Sequence, residues 1–502
     1  MKRQYLQQTK VGICPANWMQ ATRPAIALTI CCLIALAIWR FFVASALPFS
    51  IDEAYYVAWS KTPDWGYWTK PPFIAWAIGA ARWVCGESTG CVRSVALMSF
   101  PMTSALVGML TWRIAKNGWA AACAAVLFAT LPLGMFYGIA ATTDALLLLC
   151  WAAAMWSLLE ALHGKHWAWI VLGICVGLGM LAKYSMAVIG LSIALTLLHP
   201  DWRVQFQKPW AYISACVALI VFAPNIAWNL ANQMPTFSHT AGISHGGGGY
   251  GLNWQSLLEF EAAQLVVGGP LLVIGFAMWL VRKEWRANAD AWLLLCFALP
   301  MLVVISAQAL LARAHANWAS PTYVALTVAS VMFLWTRKGF FGKPALALTL
   351  VMNLLVGAVL YHFETLVAKP LGITPSAQTD PYWAMRNWPD AIDAVKSTLT
   401  DAMPQEEWRI ASDDRGMLSI GQAVLHLPAG AALGWQRSNT PQNHFEQRFP
   451  LTKTPPQRVL LITQVGQAEV MADYPNAQFA RRIDANKLPD SALHFTAWWI
   501  NP

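Results

Sequence analysis

Charge is what this 502-residue chain has least of: Asp, Glu, Lys and Arg make up 12% of it, against 57% apolar residues. Soluble domains carry about 25% charged residues. The shortage, with a mean hydropathy of +0.44, excludes an ordinary soluble fold and points to a polytopic membrane protein. Cysteine is missing after Phe363 and nowhere falls into a zinc-binding spacing, so no structural metal is expected. The residues beyond Phe363 contain no phosphate-binding loop and no catalytic-triad pattern. No nucleic-acid motif is present, and the internal repeats that build many transporters are absent as well.

The charge that exists is unevenly placed. Residues 1–363 hold 22 of the 34 Lys and Arg but only 11 of the 25 Asp and Glu, so the net +9 belongs to this part. Apolar segments near the crossing length of about 20 residues run over 25–47, 94–114, 118–139, 143–162, 167–182, 185–199, 210–229, 257–281, 290–311, 317–335 and 344–363. They predict about eleven membrane helices. Every second loop is basic: Arg113 and Lys116, then Lys165, then Arg203 and Lys208, then Arg282, Lys283 and Arg286, then Arg337, Lys338 and Lys343. Lys and Arg collect in cytoplasmic loops, which puts the N-terminus, with Lys2, Arg3, Lys10 and Arg23, in the cytoplasm. The first apolar run is longer than a signal-peptide core, so it reads as a retained helix. An odd number of spans places residues 364–502 on the far side. Two units are predicted: a membrane part, 1–363, and a small C-terminal α/β domain, 364–502, with strand-like Arg458–Ile462 and amphipathic Ala391–Leu399.

Three shorter features qualify this plan. Residues 72–84 are apolar with Trp76 and Trp83 but too short to cross, as expected of a helix lying in the interface. Residues 232–254, with His239, His245 and Gly246 to Gly249, read as a flexible loop, either a lid over a site or a plain connector. Most cysteines sit in apolar spans as small hydrophobes, whereas Cys85 and Cys91 flank a loop outside the cytoplasm, where a disulfide could persist.

Far-side charges are few, and several sit at span ends: Asp52, Glu53, Lys61, Asp64, Lys70, Asp144, Lys183, Arg313 and His315. Each has an ordinary explanation. Asp144, Asp52 and Glu53 could be first-turn acids favoured by a helix dipole, and Lys70 a lysine reaching for headgroups. Their gathering on one face of the membrane argues for more. A carboxylate base beside a cation for a phosphate is the equipment for moving a group from a phospholipid-type donor.

Asp52-Glu53-Ala54-Tyr55-Tyr56, then Lys70-Pro71-Pro72 before the interfacial segment, then Thr142-Thr143-Asp144-Ala145-Leu146 at a span start resemble the family 39 glycosyltransferases of the GT-C fold. That family includes protein O-mannosyltransferases and the aminoarabinose transferase of lipid A. His315-Ala316-Asn317-Trp318-Ala319-Ser320-Pro321 is similar to an Asn-Trp-x-x-Pro pattern of bacterial members. The resemblance implies a polyprenyl-phosphate sugar donor and an acceptor (lipid A, another glycan, a glycolipid or a protein) met at the periplasmic face of the bacterial inner membrane. It implies Asp52 as general base, Asp144 as a second acid, and Lys70 with Arg313 on the donor phosphate. Glu53, Tyr55, Tyr56, Lys183, His315 and Asn317 become substrate contacts, with no metal and no cofactor. Glu53 and Lys70 are closer together than in the aminoarabinose transferase, and Thr69 stands where that enzyme has an acid, which leaves sugar and acceptor open. A lipid-linked sugar transporter or flippase is the alternative, favoured by Arg40 inside the first span, although Arg40 is near enough to the outer end to snorkel. A non-catalytic scaffold is a further one.

Overall fold

The structure, a computed structural model, describes residues 15–245, 252–484 and 493–502. The basic residues Lys2, Arg3 and Lys10 and the glycines Gly246 to Gly249 lie outside the described residues. In chain order the helical part comprises α1 (Pro15–Ala46), α2 (Ile51–Ser60), α3 (Phe73–Cys85), α4 (Thr89–Ala115), α5 (Gly118–Thr130), α6 (Pro132–Tyr137), α7 (Thr143–Leu162) and α8 (His166–Ala182). It continues through α9 (Val188–Thr196), α10 (Pro200–Phe206), α11 (Pro209–Ala231), α12 (Pro235–His245), α13 (Trp254–Val267), α14 (Pro270–Val281), α15 (Ala289–Leu311), α16 (Thr322–Trp335) and α17 (Lys343–Tyr361).

Six of these are long and apolar enough to cross a membrane, or up to eight if two bent pairs each count as one span. The eleven expected segments therefore do not translate one to one into straight spans, and the exceptions have local causes. Segment 118–139 is cut after Thr130, where Pro132 opens α6; proline lacks the N–H a helix interior needs. Segment 185–199 ends before Pro200, and α10 leaves at 115° to it. Segment 257–281 breaks at Gly268-Gly269-Pro270, where Gly269 adopts φ +77 and α13 and α14 meet at 106°. A left-handed residue is cheap only for glycine.

The bundle is centred on α7 and α16, buried along almost their whole lengths, with Trp151, Leu158, Phe297 and Val328 in its interior. Arg40 does not snorkel. It is buried, donating to the Ala129 carbonyl at 2.6 Å and the Tyr361 hydroxyl at 3.3 Å, so its donors are spent on tying α1 to the end of α5 and to α17. The interfacial segment forms α3, which leaves Trp83 and Val84 at its end exposed, and Cys85 and Cys91 are joined in a disulfide. The segment expected as a loop over 232–254 is helical through α12. Gln233 and Met234, both at positive φ, separate α11 from α12, and Pro235 presets φ for the new helix.

The C-terminal part is α/β as expected. Its strands are β1 (Ile410–Ser412), β2 (Ala432–Gly434), β3 (Val459–Thr463), β4 (Gln478–Asp484) and β5 (His494–Ile500), in the order β2-β1-β3-β5-β4. The first three are mutually parallel and β5 and β4 antiparallel. Parallel strands need crossovers; the helix Arg415–Val424 supplies the one from β1 to β2. The predicted strand appears as β3 and the amphipathic stretch as the helix Pro389–Thr400. One apolar core runs from Tyr55, Trp59 and Ile74 of the helical part into Trp388, Leu418 and Phe445 of the C-terminal part. The sheet domain is thus packed onto α2 and α3 rather than tethered above them.

Candidate active site

Asp52 and Glu53 occupy the first turn of α2, whose N-terminus is closed by a capping box between Ser50 and Glu53. Adjacent helical residues point about 100° apart, so the two acids part company. Glu53 turns inward, is fully buried, and places each carboxylate oxygen 2.8 Å from the Arg93 guanidinium. It also accepts the Ala141 N–H at 2.9 Å and the Ser50 N–H at 3.1 Å. Arg93 spends its remaining donors on the carbonyls of Ala44, Leu47 and Pro48. Burial pushes the Glu53 carboxyl up, but the Arg93 charge and these hydrogen bonds outweigh it and hold the group below its ordinary range. The expectation that Glu53 contacts substrate is therefore corrected: every acceptor position it uses is taken by the protein. Its role is positional, fixing the end of α1, the start of α2 and the loop that leads into Asp144.

Asp52 turns outward. Its side chain is 60% exposed, and Arg415 Nη1 stands 3.2 Å away. Tyr55 and Tyr56 follow on the buried side of α2. The Tyr55 hydroxyl accepts the His444 backbone N–H at 2.6 Å, and the Arg415 guanidinium lies 5.0 Å from its ring centre, so Tyr55, too, is a structural residue, joining α2 to the C-terminal domain. Tyr56 differs: its hydroxyl makes no hydrogen bond among the described residues, and burial, then the charges of Asp52 and Asp144, push it well above its ordinary range.

Asp144, in the first turn of α7, is almost fully buried. Helix capping does not account for it. One oxygen is 2.8 Å from Lys183 Nζ, at the end of α8, and the other accepts from Asn317 Nδ2 at 3.2 Å, in the short turn Ala316–Ala319. Residues 144, 183 and 317, far apart in sequence, thus form one cluster. Lys70 lies in the turn where Tyr67 N–H meets the Lys70 carbonyl at 3.2 Å. Its ammonium makes no hydrogen bond or ion pair among the described residues. Burial, then the charge of Lys183, pull its pKa below the ordinary value, while Asp52 and Asp144 pull the other way. A half-buried, unpaired lysine within the field of two acids and two further cations is poised for an anion. Arg313 and His315 are exposed on the approach to Asn317. Partial desolvation of the imidazole, then the charges of Arg313 and Lys183, lower the His315 pKa. No contact joins Arg313 to Asp52 or Lys70 among the described residues.

Sequence reasoning missed Arg415 altogether. It follows Asp413-Asp414 at the first position of a helix after β1, and no spacing relates it to Asp52, 363 residues earlier. His239 was noticed only as part of a loop. On α12 its imidazole is held below the ordinary range by burial and by the charges of Lys70 and Arg415, opposed by Asp52, so it belongs to the same cluster. No group of three or more His, Cys, Asp or Glu in metal-holding geometry occurs among the described residues. The cluster can do two things chemically: bind an anion on Lys70 and the neighbouring cations, and accept a proton on the accessible Asp52 carboxylate.

Comparison with known proteins bears on this arrangement. Residues 69–228 match the family described as dolichyl-phosphate-mannose-protein mannosyltransferase. A lipid A galacturonosyltransferase of Rhizobium johnstonii is 29% identical over 86% of this chain and 89% of its own length. An undecaprenyl phosphate-alpha-4-amino-4-deoxy-L-arabinose arabinosyl transferase of Erwinia tasmaniensis is 25% identical over 62% of this chain and 57% of its own. Among solved structures, that of ArnT from Cupriavidus metallidurans bound to undecaprenyl phosphate superposes with a TM-score of 0.65 at 14% identity, covering 94% of this chain and 97% of that one. The fold is shared at that level of identity.

Proposed function

We propose that the chain is a GT-C, family 39-like glycosyltransferase that moves a sugar from a polyprenyl-phosphate donor to a hydroxyl of lipid A or another lipopolysaccharide component. The reaction sits at the periplasmic face of the bacterial inner membrane. The Cys85–Cys91 disulfide and the basic alternate loops support that orientation, with the C-terminal residues 364–502 on the same side as the site.

The observation that carries the reading is the pairing of an accessible carboxylate, Asp52, with an uncommitted lysine, Lys70, in one electrostatic cluster. Lys70 binds the donor phosphate, and Arg415 and Arg313 extend the cationic surface. The acceptor oxygen attacks the anomeric carbon and its proton passes to Asp52. The bond from that carbon to the phosphate oxygen breaks, and polyprenyl phosphate leaves with the electron pair, its growing charge held by Lys70. A single displacement inverts the anomeric centre. Asp144, fixed by Lys183 and Asn317, borders the sugar together with Tyr56 and His315.

The charge balance favours an acidic sugar. Lys70, Lys183 and Arg415 stand against Asp52 and Asp144, an excess of one positive charge that the donor's phosphate diester offsets, and the exposed Arg313 beside His315 is a further cation that a uronate would meet. A galacturonosyl donor fits this better than a cationic aminoarabinosyl one. The test is release of polyprenyl phosphate by purified protein in nanodiscs, with galacturonosyl and aminoarabinosyl donors offered side by side. Consumption that is lost in Asp52→Asn and Lys70→Ala, both still folded, supports the reading. A wild type that consumes neither donor would return the transporter alternative to the front, and preference for the aminoarabinosyl donor would overturn the choice of sugar.

A further inference from the structure

A cleft of about 770 Å³ opens beside the cluster, between α12 and the segment 440–447 of the C-terminal domain. Its wall is unlike the cluster's. Trp68, Gln233, Ser238, His239, Gln442 and Gln447 line it, and no Asp, Glu, Lys or Arg does. Several of these groups are idle. The Trp68 indole is half-buried yet has neither a ring partner nor a hydrogen bond, and the side chains of Gln233, Ser238, His239 and Gln447 likewise have no hydrogen-bond partner among the described residues. Burial and nearby cations hold the His239 imidazole below its ordinary range.

The walls are held firmly. Thr236 Oγ1 donates to the Tyr67 carbonyl at 2.7 Å, tying α12 to the turn that carries Lys70. Asn225 Nδ2 donates to the Trp65 carbonyl at 2.7 Å, tying α11 to the same turn. Gly66 is pressed so closely on the Trp228 ring that a Cβ there would lie 2.2 Å from it. On the opposite wall, Gln442 N–H donates to Glu446 Oε2 at 2.8 Å and His444 N–H to Tyr55. A flat apolar ring beside neutral amides, a hydroxyl and an imidazole carried on braced backbone is suited to sugar hydroxyls: the ring covers the C–H face, and the amides donate and accept in the plane. Phosphate would find no cation in this lining, and an acyl chain would strand its polar groups.

We propose that this cleft is the acceptor subsite, binding the saccharide portion of the acceptor through its neutral hydroxyls and stacking it on Trp68. The inference rests on the transferase reading above. It follows from position: Trp68 stands two residues before the phosphate-binding Lys70, and Thr236 fastens α12, which carries His239, to the turn that holds both, so a saccharide in the cleft brings a hydroxyl toward the base. The volume lies within the about 300–1,000 Å³ usual for small-ligand sites and is roomy enough for more than a single pyranose.

Steady-state transfer is measured in nanodiscs with purified lipid A and with core-bearing lipopolysaccharide as acceptors, for wild type, Trp68→Ala, Trp68→Phe and Gln233→Ala. The expected result is an acceptor KM raised on the order of tenfold in Trp68→Ala and partly restored in Trp68→Phe, which keeps a stacking ring. Gln233→Ala should raise it less, and the donor KM should move less than twofold in all three. Transfer by wild type with unchanged acceptor KM in the variants overturns the cleft alone, as does a rise confined to the donor KM. Absence of transfer by wild type overturns the transferase reading itself. Equal melting midpoints for the four proteins show that a raised KM is not a folding defect.

Discussion

The helical bundle and the C-terminal domain contribute to the cluster in opposite ways. The bundle has few charges on the site's side, some committed to partners and some left open. Asp52, Lys70, Asp144 and Lys183 meet there, while Glu53 and Arg93 brace the backbone. The C-terminal domain is rich in charge, yet Arg415 is its one ion pair to the cluster among the described residues. Where ionisable groups are expensive, each one kept is a clue; where they are cheap, most are solvated surface and only the contact identifies the one that matters.

The contrast is sharpest at Asp52 and Glu53, and the largest expected effect belongs to Asp52. Asp52→Asn should lower kcat for transfer by about 10²–10⁴ with no change in melting temperature, since the carboxylate is largely exposed; a measurable fall in stability would break the distinction. Glu53→Gln should do the reverse. Leaving Arg93 buried and unpaired costs about 3–5 kcal/mol, read as a lowered unfolding midpoint in detergent, and an equally stable variant would show that the buried pair is not a brace.

Arg415→Ala tests whether the charge-rich domain matters for chemistry. Its pair with Asp52 is too exposed to contribute much stability, but loss of a cation beside the leaving phosphate should reduce kcat by roughly tenfold to a hundredfold. Activity equal to wild type would make the domain a cover only. Lys70 gives a pH signature. An ammonium binds phosphate and an amine does not, so donor affinity holds at low pH and falls as pH rises through the Lys70 pKa. Burial and Lys183 put that fall below the ordinary 10.5. The donor KM should therefore climb on the alkaline side in wild type and stay flat in Lys70→Arg, whose guanidinium remains charged.

The smallest effect concerns how the two regions dock. His444 is buried among Tyr55, Trp59, Tyr67 and Phe449, and burial, with the Arg448 charge, drops its imidazole from 6.5 to about 3. The undocked state takes up a proton below pH 6.5 that the docked state refuses until about 3. Docking stability is therefore complete above pH 6.5 and declines as pH falls toward 3, at up to about 1.4 kcal/mol per pH unit. Limited proteolysis of the C-terminal domain between pH 7 and 5 should speed up in wild type and not in His444→Phe. A pH-independent rate in wild type would locate the dock elsewhere.

Much of this molecule was legible in its sequence because membranes impose strict rules. Apolar runs marked the helices but not the breaks at Pro132, Pro200 and Gly269-Pro270, and scarcity drew attention to Asp52, Lys70, Asp144 and Lys183. Those signals are local: each depends on composition within a few turns of chain. The sequence by itself determined a polytopic helical bundle with an α/β appendage, and which carboxylates and cations were worth watching. Only the tertiary structure decided that Glu53 and Tyr55 turn inward as braces, that Asn317 and Lys183 share Asp144, and that Arg415 and His239 complete the cluster. A side chain's partner is set by packing between elements hundreds of residues apart, and no periodicity along one element encodes what another element brings to it.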